Sequence, residues 1–414
     1  MKFEQYYIDA AIKENLSRLG FKRPTDIQFK SIPSIMKGED VLAIAQTGTG
    51  KTAAFAIPII NKIHTGKRSK RSIGIKCIVL VPTRELALQI GEVFTDLSKH
   101  TKTKAFALYG GVEQDAQIKK LQDGIDILIA TPGRMFDLIK QGFIDLTRID
   151  TLVLDEADHM LDLGFIQDIR DVKQKLKKRH QTLFFSATIN QEIKKLAFSQ
   201  VKSSAIRIQI SPDNPVSKNV SHYVVFVEMD DKRRFLSRFI RENPDNKIIV
   251  FVRTRVRAER VAKAMGRAGI ETFTIHGEKE QHERSVAMKK FKDGDCNILI
   301  ATDVSARGID IANVSYVINY DLPEKSENYV HRVGRTGRGV NKGEAISFCS
   351  QEERERLRQI EQFLNKEIEV IKIAKRDYAQ AIAPPEKTES WQTLIDENEQ
   401  WKKKKKKKSS RAKK

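Results

Sequence analysis

The sequence contains few of the residues that build disulfide scaffolds, metal clusters or membrane spans. Only three of its 414 residues are cysteines, Cys77, Cys296 and Cys349, and none has C-x-x-C spacing. Each lies in an apolar, strand-like stretch, so we expect buried thiols rather than disulfides or metal ligands. The first residues lack the apolar core of a signal peptide, and no apolar run approaches the length of a membrane span. These absences predict a soluble, cytoplasmic protein.

Basic residues outnumber acidic ones, and the excess positive charge is unevenly distributed along the chain. The net charge is +21, and ten of the excess charges lie in residues 402–414, which contain no acid. A run of like charges with so little apolar content cannot form a core, so we expect a disordered basic tail. A tether for polyanions is the interpretation we favour, because it needs only charge density. Nuclear targeting and a merely solubilising role are the alternatives.

The length of the chain and the pattern along it indicate two α/β domains. Strand-like and helical stretches alternate from residue 40 to about 210, and again from 223 to about 372. Such alternation predicts mostly parallel sheets with helices on both faces. Residues 211–217 interrupt it with two prolines and several turn formers. We therefore expect a first domain over 1–210, a linker over 211–219, a second domain over 220–372 and a tail over 373–414.

A phosphate-binding loop pattern follows the strand-like run Val41 to Ile44. It is the stretch Ala45-Gln46-Thr47-Gly48-Thr49-Gly50-Lys51-Thr52. The glycines permit a tight loop whose N–H groups face phosphate oxygens, and Lys51 would reach the β- and γ-phosphates. Thr52 would contact a magnesium ion. Ala45 replaces the first glycine of the general pattern, which makes the generic match less specific.

Carboxylates follow another strand-like run, Thr151 to Leu154, in the tetrad Asp155-Glu156-Ala157-Asp158. They would lie at the carboxyl edge of a parallel sheet, where ligands bind in such folds. Asp155 can hold magnesium there, and Glu156 can orient or deprotonate a water. An isolated tetrad is more often a turn or a helix cap. Combined with the phosphate loop, it indicates nucleoside triphosphate hydrolysis.

The second half has no Gly-Lys-Thr loop but contains an arginine motif, His331-Arg332-Val333-Gly334-Arg335-Thr336-Gly337-Arg338. Planar guanidinium groups suit phosphate oxygens, and an arginine from another element stabilises charge in phosphoryl transfer. Arg335 and Arg338 are therefore candidate catalytic groups. A surface salt-bridge cluster is the alternative for the arginines, although it explains the interleaved glycines poorly.

In this order the motifs resemble those of DEAD-box RNA helicases of superfamily 2, and in particular the short bacterial RhlE-type members. The resemblance covers about residues 3 to 370. It implies two tandem RecA-like domains, ATP and Mg²⁺ as cofactors, and RNA as the partner. It also implies backbone contacts with little sequence preference and a monomer in solution. Ribosome assembly, RNA decay and the partner proteins stay open.

Further residues gain roles only from the resemblance. Gly20 to Gln28 resembles the Q motif, and Phe3 lies seventeen residues before Gly20, where the family has an isolated aromatic. This implies that Phe3, Phe21 and Gln28 recognise adenine, which suits a stacking ring and an amide that both donates and accepts. Asp310 matches the residue that meets the ATP ribose.

The resemblance also implies RNA-binding and coupling residues. The implied RNA contacts in the first half are Pro82, Thr83, Arg84, Gly110, Gly111, Thr131, Pro132, Gly133 and Arg134. Those in the second half are Arg253, Thr254, Arg284, Thr302 and Asp303. Ser186-Ala187-Thr188 resembles the motif that joins hydrolysis to unwinding, through hydrogen bonds toward Asp158, and His331 is grouped with it.

Three functions remain to be distinguished at this point. The leading one is an RNA-dependent ATPase and helicase that unwinds short duplexes locally when its two domains close. The second is an ATP-gated RNA clamp or annealing chaperone that uses hydrolysis for release. The third is a phosphate-loop enzyme for small molecules, which the basic tail, the paired domains and the arginine motif disfavour.

Overall fold

The computed structural model describes residues 2–46, 48–69, 74–210, 216, 219–303, 314–337, 342–372 and 378. Met1–Ile371 forms one compact unit that contains two sheets. Lys372–Lys414 is a second unit, of which only Lys372 and Tyr378 are described. Most of the predicted linker and almost all of the predicted tail lie outside the described residues.

The first sheet has seven strands, all paired in parallel, in the order β3-β4-β2-β5-β6-β1-β7. The strands are β1 Val41–Ile44, β2 Cys77–Leu80, β3 Ala105–Leu108, β4 Ile127–Ala130, β5 Thr151–Leu154, β6 Gln181–Ser186 and β7 Ile206–Gln209. Five of them are buried along their whole length. Full burial explains their continuous apolar character, since both faces are covered by helices.

The described residues of this half form nine α-helices, after a short 3₁₀ helix at Phe3–Gln5. They are α1 Ala10–Arg18, α2 Asp26–Met36, α3 Lys51–Ser69, α4 Arg84–Leu97, α5 Asp115–Gln122, α6 Pro132–Lys140, α7 Ala157–Asp162, α8 Ile166–Lys175 and α9 Gln191–Gln200. Two hydrophobic clusters, one built around Phe55 and Phe185 and one around Leu154 and Phe184, hold the helices to the sheet.

The second sheet also has seven parallel strands, in the order β10-β11-β9-β12-β13-β8-β14. They are β8 Val220–Phe226, β9 Ile248–Phe251, β10 Phe273–Ile275, β11 Ile298–Ala301, β12 Tyr316–Asn319, β13 Gly343–Cys349 and β14 Glu369–Val370. The described helices are α10 Lys232–Glu242, α11 Arg255–Arg267, α12 Gln281–Asp293, α13 Ser326–Val333 and α14 Arg354–Leu364, with a 3₁₀ turn at Gln351–Glu353.

The two sheets repeat one topology. When seven is added to each strand number, the order of the first sheet becomes that of the second. The two halves are therefore copies of one doubly wound architecture, and the predicted fold class is confirmed. Each places its strand ends, and the loops that follow them, at a carboxyl edge where ligands bind.

Other sequence predictions have clear outcomes. All three cysteines are buried free thiols, and burial raises the pKa of each. The strands β7 and β14 were not predicted; both are edge strands, of which β7 is partly exposed and β14 is exposed. No helix among the described residues combines the length and apolar character needed to span a membrane.

Candidate nucleotide site and nucleic-acid interface

The phosphate loop joins β1 to α3, and its lysine is held in place. The Lys51 Nζ atom donates to the Ala45 carbonyl at 2.9 Å, and the residue is 7% exposed. Gly48 and Gly50 have φ of 78° and 90°, a conformation that side chains with a Cβ rarely adopt. The Thr49 hydroxyl donates to the Gln46 carbonyl at 2.7 Å. Thr47 lies outside the described residues.

The Q-motif glutamine braces this loop. Gln28 accepts a hydrogen bond from the Thr25 amide at 3.0 Å, and its Nε2 donates to the Gly50 carbonyl at 3.1 Å. The Thr25 hydroxyl donates to the Thr49 carbonyl at 2.7 Å. A Cβ on Gly50 would lie 2.4 Å from Gln28 Nε2, so the close approach requires glycine. The motif predicted to bind adenine is thus joined to the phosphate loop by hydrogen bonds.

The two predicted aromatic residues pack against each other. Phe3 is 2% exposed and meets Phe21 edge-on, with ring centroids 6.1 Å apart. Phe21 is only partly buried and packs at the margin of the core. Phe3 therefore packs against the Phe21 ring from the side of the core. Phe21 is the more exposed ring of the two, and so the one more accessible to a base.

The paired carboxylates after β5 have opposite electrostatic environments. Burial raises the pKa of Asp155 to about 6, against the opposing charge of Lys51. Burial alone would also raise the pKa of Glu156, but the hydrogen bond and charge of His159, with Arg335 and Lys51, lower it to about 2. Glu156 is an ionised group at neutral pH, as a residue that orients or deprotonates water must be.

Glu156 is also held in an unusual backbone conformation. Its φ and ψ of 51° and 48° are left-handed, which is costly for a residue with a side chain. His159, one turn along α7, has its Nδ1 3.4 Å from the Glu156 Oε2. Strain of this kind persists where the surroundings over-determine it, and it is concentrated at functional sites.

Asp158 joins three parts of the molecule. Its Oδ2 accepts from the Thr188 amide at 3.0 Å, from the Thr188 hydroxyl at 2.9 Å and from the Ala187 amide at 3.2 Å. The Ser186 hydroxyl donates to the Thr188 carbonyl at 2.8 Å. His331 from the second half approaches the same oxygen at 3.6 Å. The hydrogen bonds predicted between this motif and Asp158 are present.

The arginine motif divides into different roles. Arg335 is 4% exposed, its Nε donates to the His331 carbonyl at 3.0 Å, and its charge acts on Glu156 of the first half. Arg332 is buried within the second half, where its Nη2 donates to Asp303 at 2.9 Å. Arg338, like Asp310, lies outside the described residues. Of the motif, Arg335 is thus the described arginine whose charge acts on the carboxylate site.

The residues at this site fit a magnesium ion. Mg²⁺ binds through one or two carboxylates together with phosphate oxygens and water. Asp155 is a 3% exposed carboxyl with a raised pKa, which a bound cation would keep ionised. Thr52 lies in the first turn of α3, beside Lys51. Among the described residues there is no group of three or more His, Cys, Asp or Glu placed for a metal.

The predicted RNA contacts of the first half cluster around one arginine. Thr83 caps α4 by accepting from the Leu86 amide at 3.3 Å, and Arg84 opens that helix. A Cβ on Gly111 would lie 1.9 Å from Arg84 Nη1, so this glycine makes room for the guanidinium. Gly110 lies beside it, with its own Cβ position 3.9 Å from Arg84 Nη2.

The third motif of this half opens α6. Thr131 is the N-cap, and Pro132 is the first helical residue, where a missing N–H costs nothing. Gly133 follows in the first turn. Arg134 donates to Gln117 Oε1 at 2.7 Å and to the Val112 carbonyl at 2.8 Å. These residues share the carboxyl edge of the first sheet with Thr83 and Arg84.

Predicted RNA contacts from the two halves meet. Arg284 Nη2 lies 2.7 Å from Glu85 Oε1, and Arg84 Nη1 donates to Gln281 Oε1 at 3.3 Å. Burial and the charge of Arg284 lower the pKa of Arg84. Each arginine contacts a side chain of the other half, so the seam between the halves holds two guanidinium groups of the kind that bind phosphate oxygens.

The remaining contacts of the second half lie at its own strand ends. Thr254 caps α11 by accepting from the Arg257 amide at 3.2 Å, and Thr302 follows β11. The Arg253 guanidinium donates to Glu353 at 3.0 Å, and Asp303 is paired with Arg332. Any RNA contact by Arg253 or Asp303 would share a side chain already engaged in an ion pair.

Several residues of the site were not predicted. His159 supports Glu156, Glu85 pairs with Arg284, and Lys325 bridges to Asp162 across the two halves at 2.8 Å. His159 lies three residues after Glu156, and this helical spacing was the one available signal. The other two pairs join positions far apart in the chain, and no local pattern identifies them.

Two family models match the chain, and together they cover most of it. Residues 25–196 match the DEAD/DEAH box helicase family, and residues 231–340 match the helicase conserved C-terminal domain. A Buchnera aphidicola protein, ATP-dependent RNA helicase DeaD, is 40% identical over 91% of this chain and 62% of its own length. The ATP-dependent RNA helicase RhlB of a Shewanella strain is 40% identical over 89% of this chain and 85% of its own length.

Solved structures also resemble the chain. Saccharomyces cerevisiae Dbp5 bound to RNA and ADP BeF3 is 28% identical, with a TM-score of 0.83 over 92% of this chain and all of that one. A DEAD box protein from Methanococcus jannaschii is 36% identical, yet its TM-score is 0.51 over 90% of this chain and 99% of that one. With the strand topology and the paired carboxylates, these matches show that the chain belongs to the DEAD-box family of ATP-dependent RNA helicases.

Proposed function

We propose that this chain couples RNA-stimulated ATP hydrolysis to domain closure, strand bending and local, non-processive unwinding of short RNA duplexes. The observation that supports this best is the position of the arginine motif against the tetrad: His331 Nε2 lies 3.6 Å from Asp158 Oδ2, and the charge of Arg335 acts on Glu156. A hydrolytic carboxylate and a phosphate-stabilising arginine on separate domains make a site that is complete only when the domains close. Anything that favours closure therefore favours hydrolysis.

The nucleotide would bind to the first domain. Residues 45–52 would cradle the phosphates on backbone N–H groups at the start of α3, with Lys51 on the β- and γ-phosphates. Phe21, supported by Phe3, and Gln28 would contact adenine, and Asp310 the ribose. A magnesium ion held by Asp155 and Thr52 would neutralise phosphate charge when bound. Glu156 would orient and deprotonate the attacking water, and Arg335 and Arg338 would stabilise the charge that develops.

RNA would bind across both domains at the edge where Arg84 contacts Gln281 and Arg284 contacts Glu85. The proposed first-domain contacts are Pro82, Thr83, Arg84, Gly110, Gly111, Thr131, Pro132, Gly133 and Arg134. Those of the second domain are Arg253, Thr254, Arg284, Thr302 and Asp303. Contacts of this type hold the backbone, so the core would have little sequence preference. Asp158, Ser186, Thr188 and His331 would link the RNA-closed arrangement to hydrolysis.

The remaining features complete the proposal. We place the first domain at residues 1–210, the linker at 211–219 and the second domain at 220–372, followed by a basic tail that tethers RNA without sequence preference. The protein would be a cytoplasmic monomer of the RhlE-like branch. Its relatives include bacterial ATP-dependent RNA helicases of other branches, DeaD and RhlB.

Two assays test the proposal. Steady-state ATP turnover, measured with and without single-stranded RNA, should rise with RNA, and an unchanged rate would refute an RNA-dependent ATPase. A short RNA duplex with a single-stranded tail should then be separated only when ATP is present. A protein that holds the strand but leaves the duplex intact would instead be an ATP-gated clamp. Lys51→Ala, which removes the phosphate contact, is the negative control for both assays.

A further inference from the structure

The second half contains a cavity that none of the nucleotide-site residues lines. It has a volume of about 480 Å³ and opens between α10 and α11, next to the carboxyl end of the second sheet. Of its lining residues, the mechanism proposed above uses only Thr254. Its apolar floor includes Met229, Val261, Ala264 and Tyr320.

The rim of this cavity is strongly basic. Arg233, Arg260, Lys263 and Arg267 line it, against a single carboxylate, Asp230. All four basic residues are exposed, and no carboxylate among the described residues is within ion-pair distance of them. Four cations around one concave surface repel one another, and an anionic ligand would relieve that repulsion.

The fifth basic residue at the cavity, Arg257, already has partners within the protein. Arg257 Nε lies 3.0 Å from Asp321 Oδ1, and its guanidinium lies 5.6 Å from the centre of the Tyr320 ring. Tyr320 is 5% exposed, so its ring offers no open face on which a nucleic-acid base could stack. The floor suits an aliphatic or aromatic side chain that enters the cavity from outside.

The cavity is not a second nucleotide site. Lys232 is the first residue of α10, the helix that follows β8, just as Lys51 is the first residue of α3, the helix that follows β1. Unlike a lysine that contacts phosphate, Lys232 is fully buried. Its Nζ donates to the Tyr320 carbonyl at 2.8 Å and is paired with Glu353. The lysine that would reach a phosphate is therefore engaged inside the protein. Arg260, Lys263 and Arg267 instead extend along one helix over about 10 Å, too far apart for one compact phosphate group.

We propose that this cavity binds an acidic peptide segment of a partner protein, with one apolar side chain inserted between α10 and α11. Carboxylates on either side of that anchor would pair with the cations of the rim. A buried anchor within a charged rim is the usual construction of a peptide-binding site. Thr254, a predicted RNA contact, borders the same cavity, so RNA is the competing occupant that the test must separate.

The test uses the full-length protein and a fluorescein-labelled peptide, Glu-Glu-Trp-Glu-Glu-Leu-Glu-Glu, in an anisotropy titration at about 0.1 M salt. Arg260→Glu combined with Lys263→Glu should weaken peptide binding at least about tenfold. Lys289→Glu combined with Lys292→Glu is the matched control, because it makes the same charge change at the same spacing on exposed positions of α12. The control should change peptide affinity by less than about twofold.

A second variant and a second ligand make the result decisive. Ala264→Leu should also weaken peptide binding, since it fills the floor without changing charge. Equal losses in the test and control pairs would show unspecific charge attraction and overturn the proposal. So would an unchanged affinity in both the charge pair and Ala264→Leu. If single-stranded RNA loses as much affinity as the peptide in the Arg260 and Lys263 pair, the surface belongs to RNA. RNA-stimulated ATP turnover, measured in parallel, tests the proposed helicase activity separately.

Discussion

The Nε2 atom of His331 lies 3.6 Å from the Oδ2 atom of Asp158, although the two residues belong to different halves of the chain and are 4% and 5% exposed. The same oxygen accepts hydrogen bonds from the amide and hydroxyl of Thr188. Despite burial, which would raise it, the pKa of Asp158 is held well below its usual range by His331, Lys51 and Thr188. This carboxylate is thus a junction between the tetrad, the end of β6 and the second domain.

Loss of this junction should impair turnover more than nucleotide binding. His331→Ala leaves a buried carboxylate without its partner from the second domain, so we expect RNA-stimulated kcat to fall by at least about tenfold. A fluorescent nucleotide should still bind. Lys325→Ala, which removes the exposed bridge to Asp162, is the control and should have little effect. If both variants lose equal activity, the Asp158 contact has no special part in coupling.

Glu156→Gln should separate binding from chemistry. The amide keeps the shape of the side chain but cannot accept a proton, so kcat should fall by about 10² to 10⁴ while ATP and RNA affinities stay near those of the parent. Turnover assays and RNA titrations with a non-hydrolysable nucleotide measure the two effects. Glu192→Gln, an exposed position in α9, controls for the chemical change. Normal turnover in Glu156→Gln would exclude this carboxylate from the reaction.

Asp155 should reduce the stability of the nucleotide-free protein at neutral pH. Its pKa is raised to about 6, so the folded state holds the proton more tightly than the unfolded chain does. The stabilisation is complete below pH about 4 and is lost as pH rises through about 6, for a difference of about 2 to 3 kcal/mol. Without nucleotide or magnesium, Asp155→Asn should therefore be at least as stable as the parent at pH 7.

Denaturant unfolding at pH 4, 5.5 and 7 measures this difference, and ATP turnover of the variant should be lost in parallel. A variant that is less stable than the parent at pH 7 would contradict the assigned environment. The matched control is Asp137→Asn, which removes a carboxylate from α6 without touching the tetrad.

Gly111→Ala should weaken RNA binding and spare the nucleotide. Its new Cβ would lie 1.9 Å from Arg84 Nη1, so the guanidinium must move away from the edge where it meets Gln281. Gly124→Ala is a close control, because Gly124 has a similar φ of 80° but no heavy atom within 4 Å of the new Cβ. RNA affinity should fall several-fold more in Gly111→Ala. Similar losses in both would assign the effect to backbone strain.

Deletion of residues 402–414 should reduce the salt dependence of RNA binding. Ten basic residues are lost, so the slope of log affinity against log salt should become shallower while RNA-saturated ATP turnover is retained. A version with the lysines replaced by serine separates charge from length. An unaltered slope would show that the tail is not a tether.

The sequence was sufficient for the elements that are locally encoded. Buried parallel strands such as Thr151–Leu154 are continuous apolar runs, and the residues that follow them are the ligand-binding ones by the geometry of the fold. The glycines of the phosphate loop are likewise visible, because left-handed backbone is a local property. The edge strands β7 and β14 escaped prediction because their exposure breaks the apolar run.

What the sequence determined, then, is the inventory of the site: a phosphate loop, a pair of carboxylates, and arginines on a second α/β unit. Only the tertiary structure decided how these residues act on each other. It distinguished Arg335, whose charge acts on Glu156, from Arg332, which is buried against Asp303, although the two are three positions apart in the chain. It also gave adjacent carboxyls opposite pKa shifts. Burial and charge depend on neighbours distant along the chain, and no local pattern encodes them.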